Sequence, residues 1–116
     1  MQLRGIRGAT TAGENSKAEI LSATRELLSR MIAENKFSVD EIATAIFTVT
    51  ADLDAEFPAV AARELGWDET PLLCANEVNV PGSLPKCIRV LLLVNTDKNQ
   101  SEVKHIYLRE ATNLRK

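Results

Sequence analysis

Residues 87–94, CIRVLLLV, form the most hydrophobic stretch of the chain and predict a buried β-strand. Arg89 lies inside this stretch, where core packing favours another valine. A guanidinium stays charged and loses much hydration energy on burial, so we expect an anionic group to meet it. That group is either an internal carboxylate in a structural ion pair or part of a bound ligand.

The segments on either side of this strand predict four further strands and one long helix. The strands are expected at residues 3–12, 42–50, 72–74 and 104–108. The helix begins at a capping box, Ser16 to Glu19, continues with apolar residues at helical spacing and ends near Asn35. A second helix of one or two turns fits the alanine-rich segment between Phe57 and Gly66.

These elements predict one α+β domain over residues 1–116, with a mixed five-stranded sheet packed by one long helix and a short helix. One long helix cannot cover both faces of such a sheet, yet residues 42–50 and 88–94 are apolar on both sides. The uncovered face therefore needs a partner, and self-association provides one. An assembly of copies also brings residues of different chains into one cleft.

The composition argues against several kinds of partner. A net charge of −2 and an aromatic content of 4% provide neither a basic face for phosphates nor rings that stack on bases, so we expect no nucleic-acid partner. The longest apolar run, Val90 to Val94, is far shorter than the ~20 residues of a membrane-spanning helix. Arg4 and Arg7 stand where a signal peptide needs an apolar segment. We expect a soluble, cytoplasmic protein without a membrane partner.

The residues used most often in catalysis form no recognisable motif. Cys74 and Cys87 are expected to stay reduced, and the single His105 leaves no Cys/His spacing for a zinc site. We find no Ser-His-Asp arrangement and no glycine-rich phosphate loop followed by a lysine. We interpret His105 as a hydrogen-bonded strand residue and Cys74 as a packed small side chain.

Arginines are the more informative polar residues. Four of them are placed by the sequence on or beside strand ends and loops: Arg7, Arg63, Arg89 and Arg115. Glu77 is the one acid embedded between two apolar stretches. A cluster of arginines with one acceptor suits a small polycarboxylate that carries a hydroxyl group.

Six segments of the chain together carry a resemblance to a known family: Arg4–Thr11, Phe57–Ala59, Ala62–Leu65, Cys74–Val78, Lys86–Val90 and His105–Leu108. In their order and spacing they resemble the small monofunctional chorismate mutases. The resemblance runs over essentially the whole chain and points to the trimeric pseudo-α/β-barrel class, since the long bundled helices of the all-helical class have no counterpart. It implies a homotrimer with sites shared between adjacent subunits.

The resemblance also implies the reaction, which is the Claisen-type rearrangement of chorismate to prephenate on the route to phenylalanine and tyrosine. This reaction needs no cofactor, no nucleophile and no proton transfer. In the family, the positions that match Arg7 and Arg89 hold the substrate's carboxylate and ether oxygen. Glu77 matches the acceptor for the ring hydroxyl, and Tyr107 lines the same cleft.

Further positions match the surroundings of the family's site. The wall beside the reacting ring matches Leu73, Cys74, Ala75 and Asn76, and the mouth matches Phe57, Arg63, Leu114 and Arg115. The chain departs from the family in two places. Val60 stands where some relatives carry a lysine, and a tail that stops at Lys116 implies a short C-terminal lid.

A different class of protein remains as the alternative. A non-catalytic trimeric carboxylate binder, or an imine-hydrolysing relative of similar architecture, would also place an arginine at a subunit cleft. Such a protein would not require two features that this chain combines, namely a glutamate, Glu77, twelve residues before Arg89 and the strand motif around Arg7.

Overall fold

The computed structural model describes residues 1–115, the last of them by its backbone only, and builds them around a five-stranded sheet. The strands are β1 (Gln2–Thr11), β2 (Ile42–Val49), β3 (Leu72–Asn76), β4 (Cys87–Thr96) and β5 (Ile106–Tyr107). Their order across the sheet is β3-β2-β4-β1-β5. β4 is antiparallel to β1 and β2, whereas β3 is parallel to β2 and β5 is parallel to β1. The predicted mixed sheet of an α+β fold is confirmed.

The long helix α1 (Lys17–Asn35) forms where the sequence predicts it. At its start, the Ser16 hydroxyl accepts a hydrogen bond from the Glu19 backbone N–H at 3.2 Å. At its end, Lys36 adopts a left-handed conformation with φ 55° and donates its N–H to the Ile32 carbonyl. No helix within residues 1–115 combines the length and the apolar content that crossing a membrane requires.

The core lies between α1 and one face of the sheet. Every second residue of β4 points into it, and Val90, Leu92 and Val94 are almost fully buried. They pack in one cluster with buried side chains of the surrounding elements, among them Ile6, Leu27, Leu28, Met31, Phe47 and Trp67. The short helix α2 (Ala59–Glu64) contributes Ala62 to the same cluster.

The opposite face of the sheet is left open by α1, as the sequence analysis expects. Strand alternation places Arg89, Leu91 and Leu93 on this face, and none of the three is fully buried. Leu73 of β3 is 61% exposed. A row of aliphatic side chains therefore faces solvent in the single chain.

The expectation of a buried Arg89 is wrong. Its side chain is 44% exposed, because strand alternation turns it to the open face while Ile88 and Val90 enter the core. The predicted short helix between Phe57 and Gly66 is confirmed as α2, and Arg63 lies in its last turn, beside the loop that follows.

Several element boundaries differ from the sequence-based expectations. β3 continues to Asn76, and the charged tail forms a 3-10 helix, Arg109–Arg115. β5 contains only Ile106–Tyr107, so His105 lies just before it. The reason is that the His105 side chain, instead of a backbone carbonyl, accepts the hydrogen bond from the Arg7 backbone N–H.

Gly8 of β1 lies directly under α1. A Cβ at this position would lie 3.1 Å from Leu27 Cδ1 and inside the space that Met31 occupies, and Met31 is fully buried. We expect Gly8→Ala to lower the free energy of unfolding by about 1–3 kcal/mol, because the packed core must shift to admit the methyl group. Urea denaturation at a fixed protein concentration measures this loss.

Gly5→Ala is the matched control in the same strand. Its new Cβ would lie 3.6 Å from the nearest atom, Leu91 Cδ1, which is ordinary van der Waals contact. A loss of stability in Gly5→Ala as large as that in Gly8→Ala would contradict the packing explanation.

Candidate active site

An open cleft of about 630 Å³ lies on the face of the sheet that α1 leaves uncovered. The four residues that the resemblance places around the reacting part of the substrate line it: Arg7, Glu77, Arg89 and Tyr107. Arg7 lies on β1 and Glu77 directly follows β3, whereas Arg89 lies on β4 and Tyr107 on β5. The sheet thus brings together residues that are far apart in sequence.

Arg89 meets its anionic group within the cleft. Its Nε lies 3.1 Å from Glu77 Oε2, and the two side chains are 44% and 27% exposed. An ion pair this exposed contributes roughly 0–1 kcal/mol to stability. A structural role alone therefore explains Arg89 poorly, and a role in binding an anion explains it better.

Glu77 is held in place by β2. Its backbone N–H donates to the Val49 carbonyl at 2.8 Å, which extends the pairing of β2 and β3 by one residue. Its Oε2 accepts a hydrogen bond from the Thr48 hydroxyl at 2.8 Å. Within residues 1–115, Glu77 Oε1 accepts no hydrogen bond.

Arg7 presents a second positive charge from β1. Its backbone N–H donates to His105 Nδ1 at 2.9 Å, which ties this part of the strand edge to the segment before β5. The guanidinium forms no ion pair with any carboxylate of residues 1–115, so its charge is available to a ligand. The interpretation of His105 as a hydrogen-bonded residue is confirmed, although it lies outside the strand.

Two residues close the cleft on the side of the C-terminal segment. Tyr107 lies opposite Ala9 in the β1–β5 pairing, and Leu114 comes from the terminal 3-10 helix. The Arg115 side chain, expected at the mouth, lies outside the described residues.

The remaining expected site residues lie elsewhere in the chain. Phe57, Cys74, Ala75 and Asn76 line a second cleft of about 350 Å³, which contains none of the four residues of the first. Leu73 lines neither of these two clefts. A single chain thus contains two separate groups of candidate site residues.

Arg63 also stays outside both clefts. One of its terminal nitrogens, Nη1, donates to the Trp67 carbonyl at 3.0 Å and to the Asp68 carbonyl at 3.1 Å. These bonds link α2 to the turn that follows it.

The two cysteines are free thiols. Burial raises the pKa of the Cys74 thiol, and burial likewise raises the pKa of the Cys87 thiol despite the opposing effect of the nearby Arg89 guanidinium. Both groups are therefore protonated at neutral pH and are poor nucleophiles. This supports the interpretation of Cys74 as a packing residue.

Thr48 is a polar cleft residue that was not predicted from the sequence. It lies in β2 directly opposite Arg89 and donates to Glu77. A signal was present, because Thr44 and Thr48 lie an even number of residues apart in a strand that is otherwise largely apolar. Only the strand register, however, places Thr48 beside Arg89.

Comparison with known proteins links this chain to one family. Residues 3–116 match the family described as chorismate mutase type I. Chorismate mutase AroH from Thermus thermophilus is 56% identical over 114 residues, which cover 97% of this chain and 93% of the relative. Chorismate mutase AroH from Bacillus subtilis (strain 168) is 44% identical over 116 residues, covering 99% of this chain and 91% of the relative.

A solved structure shares the fold. The chorismate mutase from Clostridium thermocellum, Cth-682, superposes with a TM-score of 0.93 at 53% sequence identity. The match covers 94% of this chain and 97% of the other.

Proposed function

The chain belongs to the chorismate mutase type I family, and we propose that it rearranges chorismate to prephenate in the cleft lined by Arg7, Glu77, Arg89 and Tyr107. It is an isomerase of aromatic amino acid biosynthesis. One observation carries the assignment of the site: two guanidinium groups and one carboxylate line a single cleft. Chorismate, with two carboxylates, an ether oxygen and a ring hydroxyl, complements this set of charges.

Arg89 stabilises the charge that develops during the reaction. The C–O bond breaks ahead of C–C bond formation, so partial negative charge accumulates on the ether oxygen in the transition state. A guanidinium fixed beside that oxygen interacts more strongly with the transition state than with the ground state. The ion pair with Glu77 holds the Arg89 Nε, which leaves the terminal nitrogens for the substrate.

The other groups bind the substrate in its reactive conformation. Arg7 pairs with a carboxylate, and the Glu77 carboxylate accepts a hydrogen bond from the ring hydroxyl. Together they hold the flexible side chain of chorismate folded over the ring, so that the carbons that bond are already close. Even a modest enzymatic acceleration needs ~8 kcal/mol, of which one preorganised donor supplies ~2.7–4 kcal/mol, so positioning must supply the remainder.

The active species is proposed to be a homotrimer in which the first cleft of one subunit meets the second cleft of its neighbour. Two observations support this arrangement. The open face of the sheet presents aliphatic side chains that one chain leaves exposed, and the expected site residues divide between two clefts. Phe57 in the second cleft is 68% exposed in the single chain, as a residue that meets another subunit would be.

The direct test of the activity uses purified protein and chorismate without any added cofactor. We expect the ultraviolet absorbance of chorismate to disappear and prephenate to form in equal amount. A protein that binds chorismate but produces no prephenate would instead be a carboxylate-binding module. Arg89→Ala serves as the inactive control.

Mixing of inactive variants tests the shared site. Arg7→Ala removes a charge from the first cleft, and Phe57→Asp places a carboxylate in the second, where it repels the substrate. After subunit exchange at equal amounts, half of the first clefts and half of the second clefts are native, so we expect recovery of about a quarter of wild-type activity. Sedimentation should show a trimer throughout.

The matched control mixes Arg7→Ala with Arg89→Ala. Both substitutions lie in the first cleft, so no native site can form and no activity should return. Proven subunit exchange without recovery in the first mixture would place the whole site within one chain.

A further inference from the structure

Strand β2 separates the two charged residues of the cleft. Glu77 follows β3, Arg89 lies on β4, and β2 runs between these two strands. Neighbouring strands are ~4.8 Å apart. Side chains from the two outer strands of such a group of three therefore have to extend over the middle strand to make contact. Thr48 is the β2 residue at this crossing point, since it is registered with Arg89 on one side and Ala75 on the other.

The Thr48 hydroxyl contacts the same carboxylate oxygen as Arg89 does. It donates to Glu77 Oε2 at 2.8 Å, and the same oxygen lies 3.1 Å from Arg89 Nε. A hydroxyl has one proton, so this bond uses the donor capacity of Thr48 fully. One carboxylate oxygen is thus held from two directions, while Oε1 accepts no hydrogen bond from residues 1–115.

We propose that Thr48 is a positioning residue that orients the Glu77 carboxylate so that Oε1 accepts the ring hydroxyl of the substrate. This inference rests on the proposed function of Glu77. Threonine suits the task because its branched Cβ restricts χ1 and so fixes the direction of the hydroxyl. A carboxylate without this bond keeps the ion pair but can rotate about it, and Oε1 then spends less time toward the substrate.

The proposal also concerns substrate selection. A site built to hydrogen-bond a substrate hydroxyl discriminates against analogues that lack it, provided that its own polar group is fixed in place. Thr48 should therefore matter for chorismate and not for an analogue that lacks the ring hydroxyl. A purely structural role for Thr48 would affect both substrates alike.

The experiment compares Thr48→Val, which removes the hydroxyl at nearly constant shape, with Thr48→Ser, which keeps it. We expect Thr48→Val to lower kcat/KM for chorismate by about tenfold, the size of one hydrogen bond to a charged group. Thr48→Ser should stay within about threefold of the wild type, because it keeps the donor and loses only a methyl group. The thermal unfolding temperature of each variant should stay close to that of the wild type. With the chorismate analogue that lacks the ring hydroxyl, the two variants should have equal kcat/KM.

A double-mutant cycle with Glu77→Ala separates this inference from the function on which it rests. In the Glu77→Ala background, Thr48→Val should change kcat/KM by less than about twofold, because the carboxylate that it orients is gone. An undiminished effect in that background, or equal losses in Thr48→Ser and Thr48→Val, would overturn the role of Thr48 while leaving Glu77 in the site. Full activity of Glu77→Ala alone would contradict the proposed site, and the role of Thr48 with it.

Discussion

Arg89→Lys should fold like the wild type and lose about 10²-fold or more in kcat, the effect of removing one transition-state donor. A lysine keeps the positive charge but has one nitrogen at the end of a flexible chain. In the structure, Arg89 Nε already lies 3.1 Å from Glu77 Oε2, so the terminal nitrogens are the ones left for substrate. A single ammonium group cannot maintain the contact with Glu77 and also reach the ether oxygen in a fixed geometry.

The measurement is kcat with saturating chorismate, recorded beside thermal unfolding. Arg25→Lys is the matched control, since Arg25 pairs with Glu64 at 2.9 Å on the surface and lines neither cleft. It should keep its activity. If Arg89→Lys retains more than about a tenth of the wild-type kcat, a loss below ~1.4 kcal/mol, Arg89 is not the group that stabilises the ether oxygen.

Much of the fold follows from local patterns in the sequence. The helix α1 starts at the Ser16 cap and ends at Asn35 because capping and apolar spacing act within a few residues. The strand that contains Arg89 was recognisable from its aliphatic run, and the uncovered face of the sheet from its apolar residues on both sides.

The face of the sheet to which the Arg89 side chain points could not be predicted from the aliphatic sequence of this strand. In a strand that is apolar on both faces, hydrophobicity does not reveal which alternate residues enter the core. The antiparallel pairing with β1 and β2 settles this, because it brings Val90 and Leu92 under α1 and leaves Arg89 on the open face. The expectation of a buried charge was wrong for that reason.

The composition of the site depends even more on tertiary structure. Sequence reasoning could select Glu77, Arg7 and Arg89, because charged residues stand out beside apolar ones, but it also selected Arg63, which lines neither cleft. Thr48 did not stand out, since threonine is common in strands. The separation of the cleft containing Arg89 from the one containing Phe57 arises only when the chain is folded.

Glu77→Gln should also fold normally and lose activity, about tenfold to a hundredfold, as expected when a charge-assisted hydrogen bond becomes a neutral one. The amide keeps the shape of the side chain and one carbonyl oxygen. That oxygen can accept a hydrogen bond either from the Thr48 hydroxyl or from the substrate hydroxyl, but not from both. The NH₂ group then faces the remaining hydroxyl, to which it can only donate. The substitution therefore weakens substrate positioning without a large change in packing, which activity and thermal unfolding together would show.

A solvent isotope effect then tests what kind of role Glu77 has. As a hydrogen-bond acceptor in a pericyclic rearrangement, the carboxylate removes no proton, so kcat in deuterium oxide should nearly equal kcat in water. A general base would abstract a proton in the transition state, and the rate of the chemical step would fall when that proton is replaced by deuterium. Single-turnover measurements isolate the chemical step from product release. A solvent deuterium effect above about two on that step would contradict both the binding role of Glu77 and the pericyclic mechanism, because a rearrangement without proton transfer has no step that could produce it.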